Sequence, residues 1–239
     1  VSLSAAALAM QYKNFGGDKY LKTAEMLFAY AKNHNKSVGT TSGSFYVSSN
    51  WEDDYCLAAL LLYQITGNTS YLSEYNQYKN ADAAMKPYWP LGWDNVGPAV
   101  AYYGTDSSKL ATLMNISNGN SSYGGYRCVD DWGSARYNTS MQYTGLLYDK
   151  MTATETFRDW SEGQMKYLLG NNAAKQCFVI GYNAYGPKYP HHRAASGYTG
   201  GPQGTTAQKY TLIGALVGGQ SLSGVYLDNA NDYQYTEVA

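Results

Sequence analysis

The chain has 239 residues, enough to bury a substantial core, and its 17 Lys and Arg against 18 Asp and Glu leave a net charge of -1. With only 15% of residues charged, nothing in the electrostatics calls for a nucleic acid or an anionic membrane surface as partner. The sequence holds no run of about 18 apolar residues and no basic-then-apolar leader, so it predicts neither a membrane span nor a signal peptide. The 26 Tyr and 5 Trp point elsewhere: such rings offer an apolar face and a polar edge, which a pyranose needs for its C–H face and its hydroxyls. Cys56, Cys128 and Cys177 are odd in number and form no CxxC pair, so their spacing supports neither a disulfide framework nor a zinc site.

A first helix is predicted over about 2–14. In KYLKTAEMLFAYA, 19–31, the residues Tyr20, Leu21, Ala24, Leu27, Phe28 and Ala31 share one helical face. Segment 52–66, with AALLLY at its centre, reads as a helix buried on more than one side. Gly67-Asn68 ends it, and Thr69 and Ser70 can cap a helix over roughly 70–86. Further helices are expected at about 94–103, 106–116, 134–150, 154–169 and 205–218. The short CFVIGY at 177–182 is the one strand-like run, so the architecture is mostly α. Helices of this length joined by alternating short and long loops suggest stacked hairpins, as a solenoid or a closed double ring, in one domain.

Two stretches carry chemistry. YLDNANDYQYTEVA, 226–239, holds Asp228, Asp232 and Glu237 among three tyrosines. Glycoside hydrolysis needs one protonated and one ionised carboxyl group, yet a solvated acidic tail reads the same way. CFVIGYNAYGPKYPHHR, 177–193, clusters His191, His192 and Arg193 in a loop after Pro190.

Together these stretches resemble the paired signatures of glycoside hydrolase family 9, the inverting cellulases built on an (α/α)6 barrel. Gly181, Asn183, Pro190, His191 and Arg193 fit the first signature, and Tyr226, Asp228, Tyr233, Glu237 and Ala239 fit the second. WEDDYCLAALLLYQITGNTSYL, GWDN, DWGSARYNTSMQY, QMKYLLGNN and LIGALVGG look like family segments in the family's order, so the resemblance covers nearly the whole chain.

The resemblance implies hydrolysis of internal β-1,4-glucosidic bonds in cellulose or a related β-glucan, with inversion. Glu237 matches the general acid, and His191 and Arg193 match residues that hold the sugar at the cleavage point. Asp228 matches the second signature's carboxylate, which orients the site. His192 is expected to pack or bond within its loop. Tyr46, Trp89, Trp132 and Tyr137 fall on aromatic positions of the family's cleft, although Trp89 and Trp132 would otherwise read as core.

The loop before 52–66 resembles the family's calcium site, with Ser49, Asn50, Asp53, Asp54 and the distant Asp94 as oxygen ligands of a structural Ca²⁺. Acids decorating a helix N-terminus explain Asp53 and Asp54 equally well. No organic cofactor is implied. The family's catalytic base lies in a DAGD-like motif that this sequence lacks. The expectation is therefore that residues 1–239 are the C-terminal portion of one catalytic domain, roughly the second half of its barrel. The missing N-terminal half would be its partner, and the chain alone would be incomplete as an enzyme. The polymeric substrate implies a secreted protein. Two other readings are a non-catalytic carbohydrate-binding α/α protein and a hydrolase that acts from chain ends.

Overall fold

The computed structural model describes residues 1–34, 47–81, 89–117, 123–197 and 209–229, with the backbone alone at 116, 117, 123, 193 and 196. The chain divides into two compact units, Val1–Leu113 and Met114–Ala239.

In the first unit α1 (Ser2–Phe15) and α2 (Asp18–Asn33) are followed by α3 (Glu52–Thr66), which packs against α1, α2, α4 (Thr69–Tyr78) and α5 (Gly97–Tyr103). The expected two-sided burial of α3 is observed: every residue from Tyr55 to Leu62 is buried. A helix enclosed by four neighbours has no solvent face to keep polar, which explains its continuous apolar run. Gly67 closes α3 in the left-handed conformation, φ 70°, where a glycine carries no Cβ penalty. The cap of α4 is Asn68 rather than Thr69 or Ser70, its side chain accepting from the Ser70 N–H at 3.0 Å. That helix stops at Tyr78, short of the expected 86, and 82–88 lie outside the described residues. The next helix begins at Gly97 rather than 94, because Gly92 and Asn95 pair their backbones across a tight turn and Asn95 Oδ1 accepts from the Gly97 N–H. Helix α6 (Ser107–Ser117) straddles the boundary between the units in sequence.

In the second unit α7 (Ser134–Thr152) packs against α8 (Arg158–Leu168). Helix α8 starts four residues later than expected because Asp149, in the last turn of α7, accepts from the Phe157 N–H with both oxygens and holds 154–157 as a turn. The core here gathers Tyr126, Cys128, Ala135, Leu168, Phe178, Ile180 and Val217.

The helix expected over 205–218 is absent from its described part, 209–218. Instead the segment runs extended beside 178–180: Ile180 N–H donates to Ala215 O, Gly214 N–H to Ile180 O and Val217 N–H to Phe178 O, at 2.8 to 3.0 Å. Gly214, at φ 88°, leaves helical geometry, and partners distant in sequence replace those four residues back. CFVIGY accordingly makes only the single bridge Val179 to Leu216 among the described residues. A one-turn helix that the sequence did not suggest, α9 (Arg193–Ser196), follows the histidine pair.

Candidate active site

Asp228 joins the two signature stretches of the second unit. Its carboxylate accepts from the Lys188 N–H at 2.9 Å and from the Tyr189 N–H at 2.9 Å, so the tail segment grips the loop just before Pro190 and His191. Both contacts are charge-assisted bonds to backbone amides, which position a loop without involving its side chains. His191 is half-buried at the end of this grip. His192 turns back into the loop as expected: its Nδ1 accepts from the Ala195 N–H at 3.1 Å and caps α9. Glu237 and the Arg193 side chain lie outside the described residues. Beside the loop, Ile180, Asn183, Lys188, Tyr189, Pro190 and Leu212 line an open cavity of about 340 Å³.

The structure joins Trp132 and Tyr137 through Arg136. The Arg136 guanidinium sits 4.6 Å from the centre of the Tyr137 ring and donates to the Tyr137 hydroxyl at 3.1 Å and to Trp132 O at 3.3 Å. Trp132 is 45% exposed, too open for a core residue of its size.

The same unit holds a buried polar network that the sequence reading missed. Gln164 Oε1 accepts from the Arg127 N–H and from Asn138 Nδ2, Gln164 Nε2 donates to Gly125 O, and Gln142 Nε2 donates to Asn138 Oδ1. It pins 125–127 to α7 and α8. Three polar side chains on the inner faces of two adjacent helices were the available signal.

The first unit carries the acidic loop. Ser49 donates to Asp94 twice, from its N–H at 2.8 Å and its hydroxyl at 2.6 Å. Asn50 Nδ2 donates to Asp53 Oδ1, and the other oxygen of Asp53 accepts from the Val96 N–H, both at 2.8 Å. Four of the five residues expected around a cation are thus joined by hydrogen bonds. Burial pushes the Asp54 carboxyl up to about 6, and the Asp53 and Asp94 charges push it the same way. Hard oxygen donors and concentrated negative charge fit the chemistry of Ca²⁺. Among the described residues no three His, Cys, Asp or Glu side chains form a metal-holding group, and Asp53 and Asp94 are engaged by N–H and O–H donors. Trp89 is half-buried, and its carbonyl accepts from Asn95 Nδ2 at 2.8 Å, a tie that also escaped the sequence reading. Tyr46 lies outside the described residues.

Comparison with known proteins agrees with this geometry. The profile of Glycosyl hydrolase family 9 matches residues 2–239. Endoglucanase B of Cellulomonas fimi is 29% identical over 99% of this chain, and an endoglucanase of Dictyostelium discoideum is 30% identical over 89%. The chain spans only 26% and 32% of those two proteins. Among solved structures, the catalytic domain of CelT from Clostridium thermocellum superposes with a TM-score of 0.88 at 34% identity. It matches 98% of this chain, which covers 56% of that domain. The cellulase Cel9M of C. cellulolyticum, also solved with cellobiose, superposes with a TM-score of 0.84 at 32% identity, and the chain covers 59% of it. The fold class is accordingly mostly α and of the (α/α)6-barrel type. With the signature loops tied together by Asp228 and the family profile matched from end to end, this chain belongs to glycosyl hydrolase family 9.

Proposed function

We propose that the protein is an inverting endo-β-1,4-glucanase acting on cellulose or a related β-glucan. The observation that carries this reading is the Asp228 carboxylate, which ties the tail signature to the loop bearing His191 inside a chain of this family. The endoglucanase names of its relatives and the cellobiose bound to Cel9M support the substrate class.

In this reading Glu237 protonates the leaving oxygen, while His191 and Arg193 hold the sugar at the cleavage point. Trp89, Trp132, Tyr137 and Tyr46 stack on neighbouring rings. Asp228 orients the loop: both its oxygens already accept N–H donors, which suits an anchor. The base that activates water comes from a part of the catalytic domain beyond these 239 residues. This assignment is supported by the chain covering 56% of the CelT domain and containing no DAGD-like motif. Residues 1–239 then form the C-terminal portion of one catalytic domain. A β-glucan polymer cannot enter a cell, so the protein is secreted, and activity in the medium of the producing cells checks that point.

Ser49, Asn50, Asp53, Asp54 and Asp94 would hold Ca²⁺, which would supply structural cross-linking between the two loops and no chemistry at the cleaved bond. An unfolding temperature that stays fixed between excess Ca²⁺ and EDTA refutes the ion.

The central test is Glu237→Gln in the full-length protein. Turnover of soluble cellulose should fall by about 10²–10⁴-fold while cello-oligosaccharide binding persists. Retained turnover removes Glu237 from the mechanism, and a wild-type protein that binds glucan without cleaving it is a binding protein instead. An α-anomer as first product, followed by NMR, is expected for inversion. A steady fall in viscosity ahead of released sugar separates internal cleavage from action at chain ends.

A further inference from the structure

Trp132 is 45% exposed, so burial alone does not hold its ring in one direction. The turn that carries it is instead clamped on both sides to a segment some ninety residues later. On one side Asp131 Oδ1 accepts from the Leu222 N–H, 91 positions away. On the other, Ser134 Oγ donates to Gln220 O at 2.6 Å, and the Ala135 N–H donates to Gly218 O at 2.8 Å. Cys128 Sγ, at the start of the turn, lies 3.6 Å from Gln220 O. Asp130 acts within the turn, its Oδ1 accepting from the Trp132 N–H at 2.7 Å. Gln220 is held in turn by Tyr167, whose hydroxyl donates to its Oε1 at 2.8 Å.

The arrangement separates two roles. The contacts of Ser134 and Ala135 belong to the buried start of α7, and they hold the helix whatever the turn does. Asp130 and Arg136 bond Trp132 itself within the turn, whereas the bond from Asp131 ties the turn to the distant segment next to the exposed ring, a charged acceptor meeting a backbone donor, the stronger kind of hydrogen bond. We infer that Asp131 is a positioning residue for sugar binding, fixing Trp132 as a platform by locking its turn to Leu222. This rests on the reading of Trp132 as a sugar-stacking residue. Asp131 touches no sugar itself, so its effect should appear in affinity and KM rather than in kcat.

The test is cellotetraose affinity by calorimetry, with kcat, KM and thermal unfolding, on the full-length protein carrying Trp132→Ala, Asp131→Ala, Asp131→Asn or Leu222→Pro. Trp132→Ala should weaken binding about ten-fold. Asp131→Ala should weaken it about three- to five-fold and raise KM with kcat unchanged, because the turn that carries the ring then loses its tie to Leu222. Asp131→Asn keeps an acceptor oxygen and should restore affinity to within about two-fold of wild type. Leu222→Pro removes the donor from the other side and should repeat the Asp131→Ala result, which covers the case in which Asp131→Ala fails to fold. A lowered unfolding temperature with unchanged affinity in Asp131→Ala and Leu222→Pro, beside a weakened Trp132→Ala, overturns the positioning role and leaves the platform reading intact. Unchanged affinity in Trp132→Ala overturns the platform and the positioning role together, while the hydrolase reading stands on Glu237.

Discussion

Asp53 in the first unit and Asp228 in the second do the same mechanical work in different surroundings. Each carboxylate reaches a backbone N–H far along the chain: Asp53 that of Val96, 43 residues on, and Asp228 those of Lys188 and Tyr189, 40 and 39 residues back. Asp53 is 2% exposed and also takes an amide hydrogen from Asn50, whereas Asp228 is only half-buried. Water can replace Asp228 at its donors and cannot easily do so at Asp53. The difference teaches that a tie's energetic weight follows from burial and its functional weight from what the tied loop carries.

The largest expected effect on stability breaks the buried tie. Asp53→Ala leaves the Val96 N–H and the Asn50 amide without this acceptor in a dry place, and denaturant unfolding should register a loss of about 3 kcal/mol. Next comes the segment that anchors the Trp132 turn. A Cβ on Gly219 would stand 2.7 Å from Ser134 Oγ and 2.9 Å from Ala135 Cβ, at a φ of 84°, so Gly219→Ala should cost about 2 kcal/mol by the same measurement.

Asp228→Ala should cost only about 1 kcal/mol, since water can take over the Lys188 and Tyr189 donors. Its turnover on soluble cellulose should nevertheless fall by about ten-fold or more in the full-length protein, because the loop bearing His191 loses its anchor. Equal stability losses for Asp53→Ala and Asp228→Ala would show that burial does not separate the two ties. The smallest effect is expected at the exposed pair of Arg158, the first residue of α8, and Glu155 in the turn before it, where Arg158→Ala should shift stability by no more than about 0.5 kcal/mol.

Legibility in the sequence followed the range of the interactions. Helices α1, α2, α3 and α7 were readable because their apolar spacing and end signals are local, and Gly67 marked the end of α3 within one residue. LIGALVGG misled because its apolar residues also suit a helix. Its true partners, the backbone groups of Phe178 and Ile180, lie more than thirty positions away and leave no periodic trace. The same limit applied at the site: the resemblance to the family singled out Asp228 and His191, but not that the grip of Asp228 falls on Lys188 and Tyr189. Asn95, Gln164 and Asp131 escaped because nothing in their neighbouring residues sets them apart from other polar side chains.

The sequence by itself determined the mostly helical class, which depends on composition and short-range pattern, and through its resemblance to the family it pointed to the residues of the candidate site and the order of the two signatures. Only the tertiary structure decided which backbone amides the acids hold, why Trp132 stands exposed on a clamped turn, and that 209–218 runs extended beside 178–180. The physical reason is that hydrogen bonds between distant segments are chosen by burial and mutual fit, and neither quantity exists until the chain has folded.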